Sequence, residues 1–291
     1  MNRLLRPAIW SYGLQRLCTW YPLRRALARV VASTRPGYTL AESAQSPALV
    51  AELRSNGVAL LPGFIGPEVI QRIDAHLQGA NLKERFPPCR DNFTLENVPA
   101  NVHVAEYDTA YIARCPDVVA IANHPLLLDT AARYLGCKPT ISNLSIWWSL
   151  PADGTAQEAE NYHRDVDEWR FVKFFLYLSD CDESAGPHCF VRGSHRSGRF
   201  LRIRRIDDAE VGRVFAPEDQ LRLTGAAGDA FLEDTFGLHK GQPPTGRRRL
   251  LLQVEYSINP IAVYKYRPDA VVPEGIQIDH YVNRLYFQPA P

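Results

Sequence analysis

The chain is predicted to form a mainly β fold with a helical cover, a jelly roll or small barrel buttressed by helices at its N-terminal end. Three observations lead there. Helix-period patterns are concentrated before residue 136, and strand-like runs follow from Lys138 onward. No segment of clear helical period separates one strand-like run from the next, which argues against a parallel α/β sheet. The 22 Pro and 18 Gly are spread along all 291 residues, as the turns of a loop-rich β fold require.

Residues 1–34 read as helical, interrupted near Pro22 and broken at 34–37 (T-R-P-G). Residues 50–55 read as the end of a short helix, stopped by Asn56-Gly57, and 58–61 as a short strand turned by Pro62-Gly63. Gly66-Pro67-Glu68 opens a helix, because proline lacks a donor the first turn leaves unused and an acid favours the positive end of the helix dipole. Val69, Ile70, Ile73 and Leu77 share one face of it. Residues 79–103, with Pro87-Pro88 and Pro99, read as irregular, a surface loop or an active-site loop. Residues 118–135 read as helix with a break near Pro125 and a stop at Gly136. Strands are expected at 141–150, 171–178, 230–233 and 249–256, where β-branched and aromatic residues concentrate. One catalytic domain is expected at 50–291, with 1–49 as a helical extension.

Composition excludes several classes. The net charge of +1 gives no global field for nucleic acid. No apolar run reaches the ~18–20 residues that span a bilayer. Cys18, Cys89, Cys115, Cys137, Cys181 and Cys189 form no C-x-x-C pair, and reduced structural thiols in a cytoplasmic protein are expected. Arg3, Arg6, Arg16, Arg24, Arg25, Arg29 and Arg35 precede the first acidic residue, Glu42, with Leu4, Leu5, Trp10, Leu14, Leu17, Trp20 and Leu27 interleaved. This pattern suits a basic amphipathic segment at a membrane surface or a transit peptide. The plainer reading is a helical extension that packs on the domain with a solvated basic face.

The chemistry is carried by residues 161–170, N-Y-H-R-D-V-D-E-W-R. On an extended backbone His163 and Asp165 point to one face and can grip one metal ion. A second imidazole would complete the two-histidine, one-carboxylate set that leaves open positions on iron. His239, after a short strand and a glycine, is the partner of choice, and Arg249 enters another strand ten residues on. H-x-D alone also arises by chance, as an exposed hydrogen-bonded pair, and His239 also reads as a core histidine.

In order along the chain, N-G-V-A-L-L-P-G-F (56–64), Y-H-R-D (162–165), K-F-F-L-Y-L-S-D-C-D-E-S-A-G-P-H (173–188), G-S-H (193–195) and L-H-K-G-Q-P-P-T-G-R-R-R-L-L-L-Q (238–253) resemble the phytanoyl-CoA dioxygenase family of Fe(II)/2-oxoglutarate oxygenases. The resemblance spans roughly residues 50–257 and implies a double-stranded β-helix. It implies His163, Asp165 and His239 as ligands of Fe(II), with 2-oxoglutarate and O2 as cosubstrates. It implies an arginine on the far carboxylate of 2-oxoglutarate. Arg249 is preferred because it stands just before the strand, while Arg248 matches the spacing from Gly246; the two face opposite ways once the strand begins. Some members place a serine two residues after the distal histidine, where this chain has Gly241. Related halogenases lack the carboxylate, so Asp165 implies hydroxylation rather than halogenation.

Lys173, Asn143 and Trp147 are further candidates for the cosubstrate pocket, with a snorkelling lysine and core packing of Trp147 as the plainer readings. Asp167 is expected toward solvent or substrate, His188 and His195 in structural loops, and Glu233 and Asp234 in turn geometry. A small-molecule substrate is expected. A non-catalytic jelly-roll binding protein and a zinc hydrolase are the rival classes; the hydrolase would need a glutamate base near the metal.

Overall fold

The computed structural model describes residues 7–38 and 43–288, so Arg3, Leu4, Leu5, Arg6 and Glu42 lie outside the described residues. Helix α1 (Pro7–Leu17) is followed by α2 (Tyr21–Ser33). The break falls at residues 18–20, and Pro22 sits inside the first turn of α2, where it starts a helix rather than interrupting one. Then come α3 (Ser46–Ser55), β1 (Val58–Leu61), α4 (Pro67–Leu77), β2 (Leu82–Glu84), β3 (Val104–Tyr107), α5 (Thr109–Ile112), α6 (Pro116–Ala122) and α7 (Pro125–Leu135). Gly136 ends α7 in the left-handed region, φ 85°. The strands β4 (Thr140–Ser149), β5 (Phe171–Tyr177) and β6 (His188–Val191) follow, then helix α8 (Asp208–Gly212), and strands β7 (Gln220–Leu223), β8 (Ala230–Glu233), β9 (His239–Gly241) and β10 (Arg249–Ser257). A single turn, α9 (His280–Asn283), closes the order.

All strand pairs are antiparallel. One sheet runs β1-β8-β5-β10-β4-β3-β2, and the other β7-β6-β9. In the large sheet, side chains alternate between two buried environments. Leu144, Ile146, Trp148, Val172, Phe174, Leu176, Leu250, Leu252 and Val254 face the helices and form the main core with Ala28, Leu53, Ile73 and Leu127. The residues between them, Trp147, Phe175, Tyr177 and Leu251, face the second sheet with Phe231 and Phe190. Burial on both faces explains why 171–178 reads as a nearly continuous apolar run.

The N-terminal helices are tied to the domain. Ala28 and Ala32 place α2 in the main core. Arg24 is buried; it donates to the carbonyls of Gln15 (3.0 Å) and Glu168, with its guanidinium 4.6 Å from the Phe236 ring. One side chain thus closes the α1–α2 elbow against the segment that carries His163 and Asp165. Trp10, Leu14, Leu17, Trp20, Leu23 and Val30 stay exposed. Among the described residues no helix is long and apolar enough to cross a membrane. All six cysteines are free thiols.

Candidate active site

His163 and Asp165 lie on an extended segment that is not a strand of either sheet. It is held by ladder-like bonds: His163 and His239 exchange backbone hydrogen bonds (3.0 and 3.1 Å), and the Asp165 N–H donates to Thr235 O at 2.9 Å. These bonds bring β9 beside the segment and His239 beside His163, with ring centroids 4.2 Å apart. One ligand atom each from His163, Asp165 and His239 falls within 4.8 Å of the others, the one His/Cys/Asp/Glu group so spaced among the described residues.

Both imidazoles are oriented by the same device. Each Nδ1 faces a backbone carbonyl two residues back, His163 to Asn161 O (2.9 Å) and His239 to Gly237 O (3.1 Å). Nδ1–H therefore donates there, and each Nε2 is turned toward Asp165, at 3.5 and 3.4 Å. Burial, with His239 beside it, pushes the His163 imidazole down to about 4, so it is a neutral donor at physiological pH. Burial works against a charged Asp165, but Lys173 and the two histidines hold its carboxyl well below the usual range. Two imidazoles and one anionic carboxylate are the donor chemistry that suits iron(II).

Lys173 is more than a snorkelling lysine. Its ammonium is buried and lies 2.6 Å from Asp165, 3.0 Å from Asp167 and 3.5 Å from Glu255. The sheet register explains the cluster: Glu233, Lys173, Glu255 and Asn143 stand side by side across β8, β5, β10 and β4. The lysine is thus occupied by carboxylates, one of them in the triad, and Asp167 faces it rather than open solvent.

The triad opens into a cavity of about 740 Å³ between the two sheets. Alternate residues of the large sheet line it: Asn143, Ser145, Trp147 and Ser149 of β4, Phe175 of β5, and Arg249, Leu251 and Gln253 of β10. Asn143 Nδ2 is 3.5 Å from the Tyr264 hydroxyl, and the Arg85 guanidinium lies 4.1 Å from the Trp147 ring. Arg249 is 2% exposed. Its Nη2 donates to Ser149 Oγ at 3.0 Å, and its Nε and Nη1 have no hydrogen-bond partner. A buried guanidinium with two unused donors in the wall of a metal cavity is a fit for the carboxylate of a diacid. A Cβ built on Gly241 would stand 3.5 Å from Arg249 Nη2, so a side chain at this position would face this arginine. Arg248 does not reach the cavity. It points to the other face of β10, exposed, with its guanidinium 4.9 Å from the Trp148 ring, because neighbours on a strand alternate sides.

Several site neighbours carry weak signals in the sequence. His188 and Glu233, expected in a loop and a turn, are buried strand residues. His188 stacks on His239 (5.6 Å), and its Nε2 is 2.9 Å from Glu233 Oε2, outside hydrogen-bond geometry. Burial pushes the Glu233 carboxyl up to about 8. Asp234 accepts from the Tyr134 hydroxyl and the Phe236 N–H. His195 is buried away from the triad, 3.3 Å from Arg54 O. Exposed Arg16, Arg204 and Arg205 line the cavity's open side, and Arg16 arrives on α1. The polar alternation of Arg249, Gln253 and Glu255 was readable along β10; the approach of α1 was not.

Glu168 connects this segment to α1 through Gln15 Nε2 (2.8 Å). Burial pushes its carboxyl up to about 7, against the pull of the Trp169 and Asn259 bonds and Arg24. The folded chain therefore keeps a proton that the unfolded chain loses near 4.5, and stability falls as pH rises from about 4.5 to 7. Glu168→Gln keeps a hydrogen-bond acceptor for Gln15. It is expected to gain up to about 3 kcal/mol over wild type at pH 8 and nothing at pH 4, read by urea denaturation at both.

A two-sheet antiparallel double-stranded β-helix with a two-histidine, one-carboxylate centre defines the class, the iron- and 2-oxoglutarate-dependent enzymes. Residues 53–249 match the profile of phytanoyl-CoA dioxygenase (PhyH), and the chain belongs to that family. No curated protein matches the chain in sequence. Among solved structures, AviO1 from Streptomyces viridochromogenes Tue57 is 19% identical with a TM-score of 0.51, over 75% of this chain and 96% of that one. The epimerase SnoN in complex with Fe3+, alpha-ketoglutarate and nogalamycin RO is 14% identical with a TM-score of 0.52, over 86% and 97%. HygX from Streptomyces hygroscopicus, with nickel, 2-oxoglutarate and hygromycin B bound, is 15% identical with a TM-score of 0.51, over 76% and 89%. At these identities the likeness is one of fold.

Proposed function

We propose that the chain is an Fe(II)/2-oxoglutarate-dependent dioxygenase that hydroxylates a small molecule and releases succinate and CO2. The observation that carries this reading is Arg249, a buried guanidinium with two unpartnered donors in the same cavity as the His163–Asp165–His239 cluster. His163, Asp165 and His239 would hold the iron, and Arg249 the far carboxylate of 2-oxoglutarate, with Asn143 and Trp147 as neighbouring wall. Bound iron supplies the redox chemistry that couples decarboxylation of 2-oxoglutarate by O2 to oxidation of a substrate C–H bond. The chain's own contribution is orientation. Asn161 O and Gly237 O hold the two imidazoles, Lys173 holds Asp165, and the apolar wall of Phe175 and Leu251 limits water. The cavity's size suits a drug-sized molecule, and the arginines Arg85, Arg204 and Arg205 that line it are ion-paired with Glu106, Glu210 and Glu158, which favours one with polar groups. Within the extension at 1–49, helices α1 and α2 serve in this reading as a buttress to the catalytic domain at 50–291.

Among the described residues the hydrolase reading finds no free base in the cavity. The cavity carboxylates Glu106, Glu160 and Asp167 pair with Arg85, His103 and Lys173, and Glu233 and Glu255 are fully buried off the cavity wall. The test is anaerobic addition of Fe(II) and 2-oxoglutarate. Wild type is expected to show the visible charge-transfer band of the chelate, and His163→Ala and His239→Ala to lose it. No band in wild type overturns the oxygenase reading. A band without succinate release on admission of O2 points instead to a binding protein.

A further inference from the structure

A second pocket, of about 230 Å³, shares no lining residue with the triad cavity. It is lined by Tyr21, Arg25 and Arg29 of α2, Arg54 of α3, Tyr134 of α7, Arg170 just before β5, and Arg196 beyond β6. Five arginines from four separate stretches of chain converge there. Arg25 and Arg29 stand one helical turn apart and are exposed. Arg54 donates to Arg133 O (3.3 Å), Arg170 to Tyr134 O (3.3 Å) and Arg25 O (3.5 Å), and Arg196 to Ser55 O (2.7 Å). Among the described residues none of the five forms an ion pair with a carboxylate. Asp234 lines the adjoining space behind Tyr134, where it accepts from the Tyr134 hydroxyl and the Phe236 N–H.

Elsewhere in the chain Arg72, Arg85, Arg90, Arg204, Arg205 and Arg222 pair with carboxylates, whereas these five line one pocket together with, among the described residues, no carboxylate paired to any of them. Like charges gathered without counter-charge repel, and the arrangement becomes favourable when a multiply charged anion sits among them. Guanidinium forks match the tetrahedral oxygens of phosphate, and backbone carbonyls already aim three of the five. We propose that this arginine pocket is a second binding site, separate from the catalytic cavity, for a phosphomonoester or pyrophosphate group. The group comes from a soluble phosphorylated molecule or from a lipid headgroup.

The test uses the full chain and two probes: sodium pyrophosphate by calorimetric titration, and co-sedimentation with phosphatidylcholine vesicles with and without phosphatidic acid. Saturable pyrophosphate binding without vesicle enrichment assigns a soluble ligand, and phosphatidic acid-dependent sedimentation assigns a headgroup. In either case Arg25→Gln/Arg29→Gln is expected to weaken binding at least tenfold, since both side chains are exposed and hold nothing in place. Arg249→Ala is expected to bind as wild type does, and the double variant to keep the chelate band. Failure of wild type to bind either probe overturns the proposal. So does undiminished binding by the double variant, or loss of binding in Arg249→Ala, which would put the anion in the catalytic cavity. A single variant, Arg54→Gln, repeats the reading with a different side chain.

Discussion

Arg249→Ala is expected to weaken 2-oxoglutarate binding by roughly 30-fold to several thousandfold and to leave the folded chain about as stable as wild type. The two halves follow from one observation. The guanidinium is buried with a single protein hydrogen bond, to Ser149 Oγ, and its Nε and Nη1 are unpartnered. Removing a buried, unmatched charge relieves a desolvation cost, which offsets the loss of packing. Once a diacid is bound, the same truncation leaves a buried carboxylate without its partner, at about 2–5 kcal/mol. At about 1.4 kcal/mol per tenfold, that is ~30-fold to several thousandfold in affinity. Titrating 2-oxoglutarate into the anaerobic iron-loaded protein reads the affinity, and urea denaturation of the metal-free protein reads the stability. Arg249→Lys keeps the charge but not the planar fork and is expected between the two. Arg248→Ala, which loses only a stacking contact with Trp148 outside the cavity, is expected to bind 2-oxoglutarate as wild type does. Unchanged affinity in Arg249→Ala would remove this arginine from the cosubstrate site.

What could be read in the sequence was what local pattern determines. β1, β4, β5, β8 and β10 carry enough β-forming residues to announce themselves, and they are neighbours in the large sheet; so does the H-x-D pair, whose geometry needs only an extended backbone. β2, β3, β6, β7 and β9 are about as short as β1 and β8, but they carry charged or polar residues such as Lys83, Glu106, His188, Arg222 and Lys240, and their strand character comes from the partner beside them. His239 is the case in point. H-K-G has no strand signature, and it becomes β9 through pairing with β6 and with the His163 segment. Lys173 was readable as a charge among aromatics on one face, but its three carboxylate partners come from elsewhere in the chain, and no spacing reveals that they meet. The basic N-terminal stretch was visible as composition, whereas the separation of its arginines was not. Arg16 goes to the catalytic cavity, Arg24 is buried at the α1–α2 elbow, and Arg25 and Arg29 go to the second pocket. A helix sequence states which residues share a face; which surface that face meets is decided by packing.

Lys173→Met is expected to cost about 3–5 kcal/mol of stability in the metal-free protein, the size typical of breaking a buried ion pair from one side. Methionine nearly conserves the volume, so the loss is electrostatic. Asp165, Asp167 and Glu255 are left without their shared cation. Burial works against the charge on Lys173, but those three carboxylates hold its ammonium well above the usual lysine range. A lysine raised in this way contributes stability that is fully present below its unfolded value and lost only as pH rises through the folded one, so in wild type the contribution is intact at neutral pH, where the comparison is made. The coupling gives a second reading. Asp167 lies 3.0 Å from the ammonium, and adding Asp167→Asn removes one of the stranded charges. The double variant is therefore expected to be more stable than Lys173→Met alone, although Asp167→Asn by itself loses an ion pair in wild type. Urea denaturation of the four proteins in a chelator measures the cycle. If Lys173→Met comes within about 1 kcal/mol of wild type, or if the two substitutions simply add, Lys173 does not hold the carboxylate that completes the triad. A positive coupling would mean that the fold spends a buried cation, placed across from Glu233 and Glu255 by sheet register alone, on aiming Asp165 at the metal position before any metal arrives.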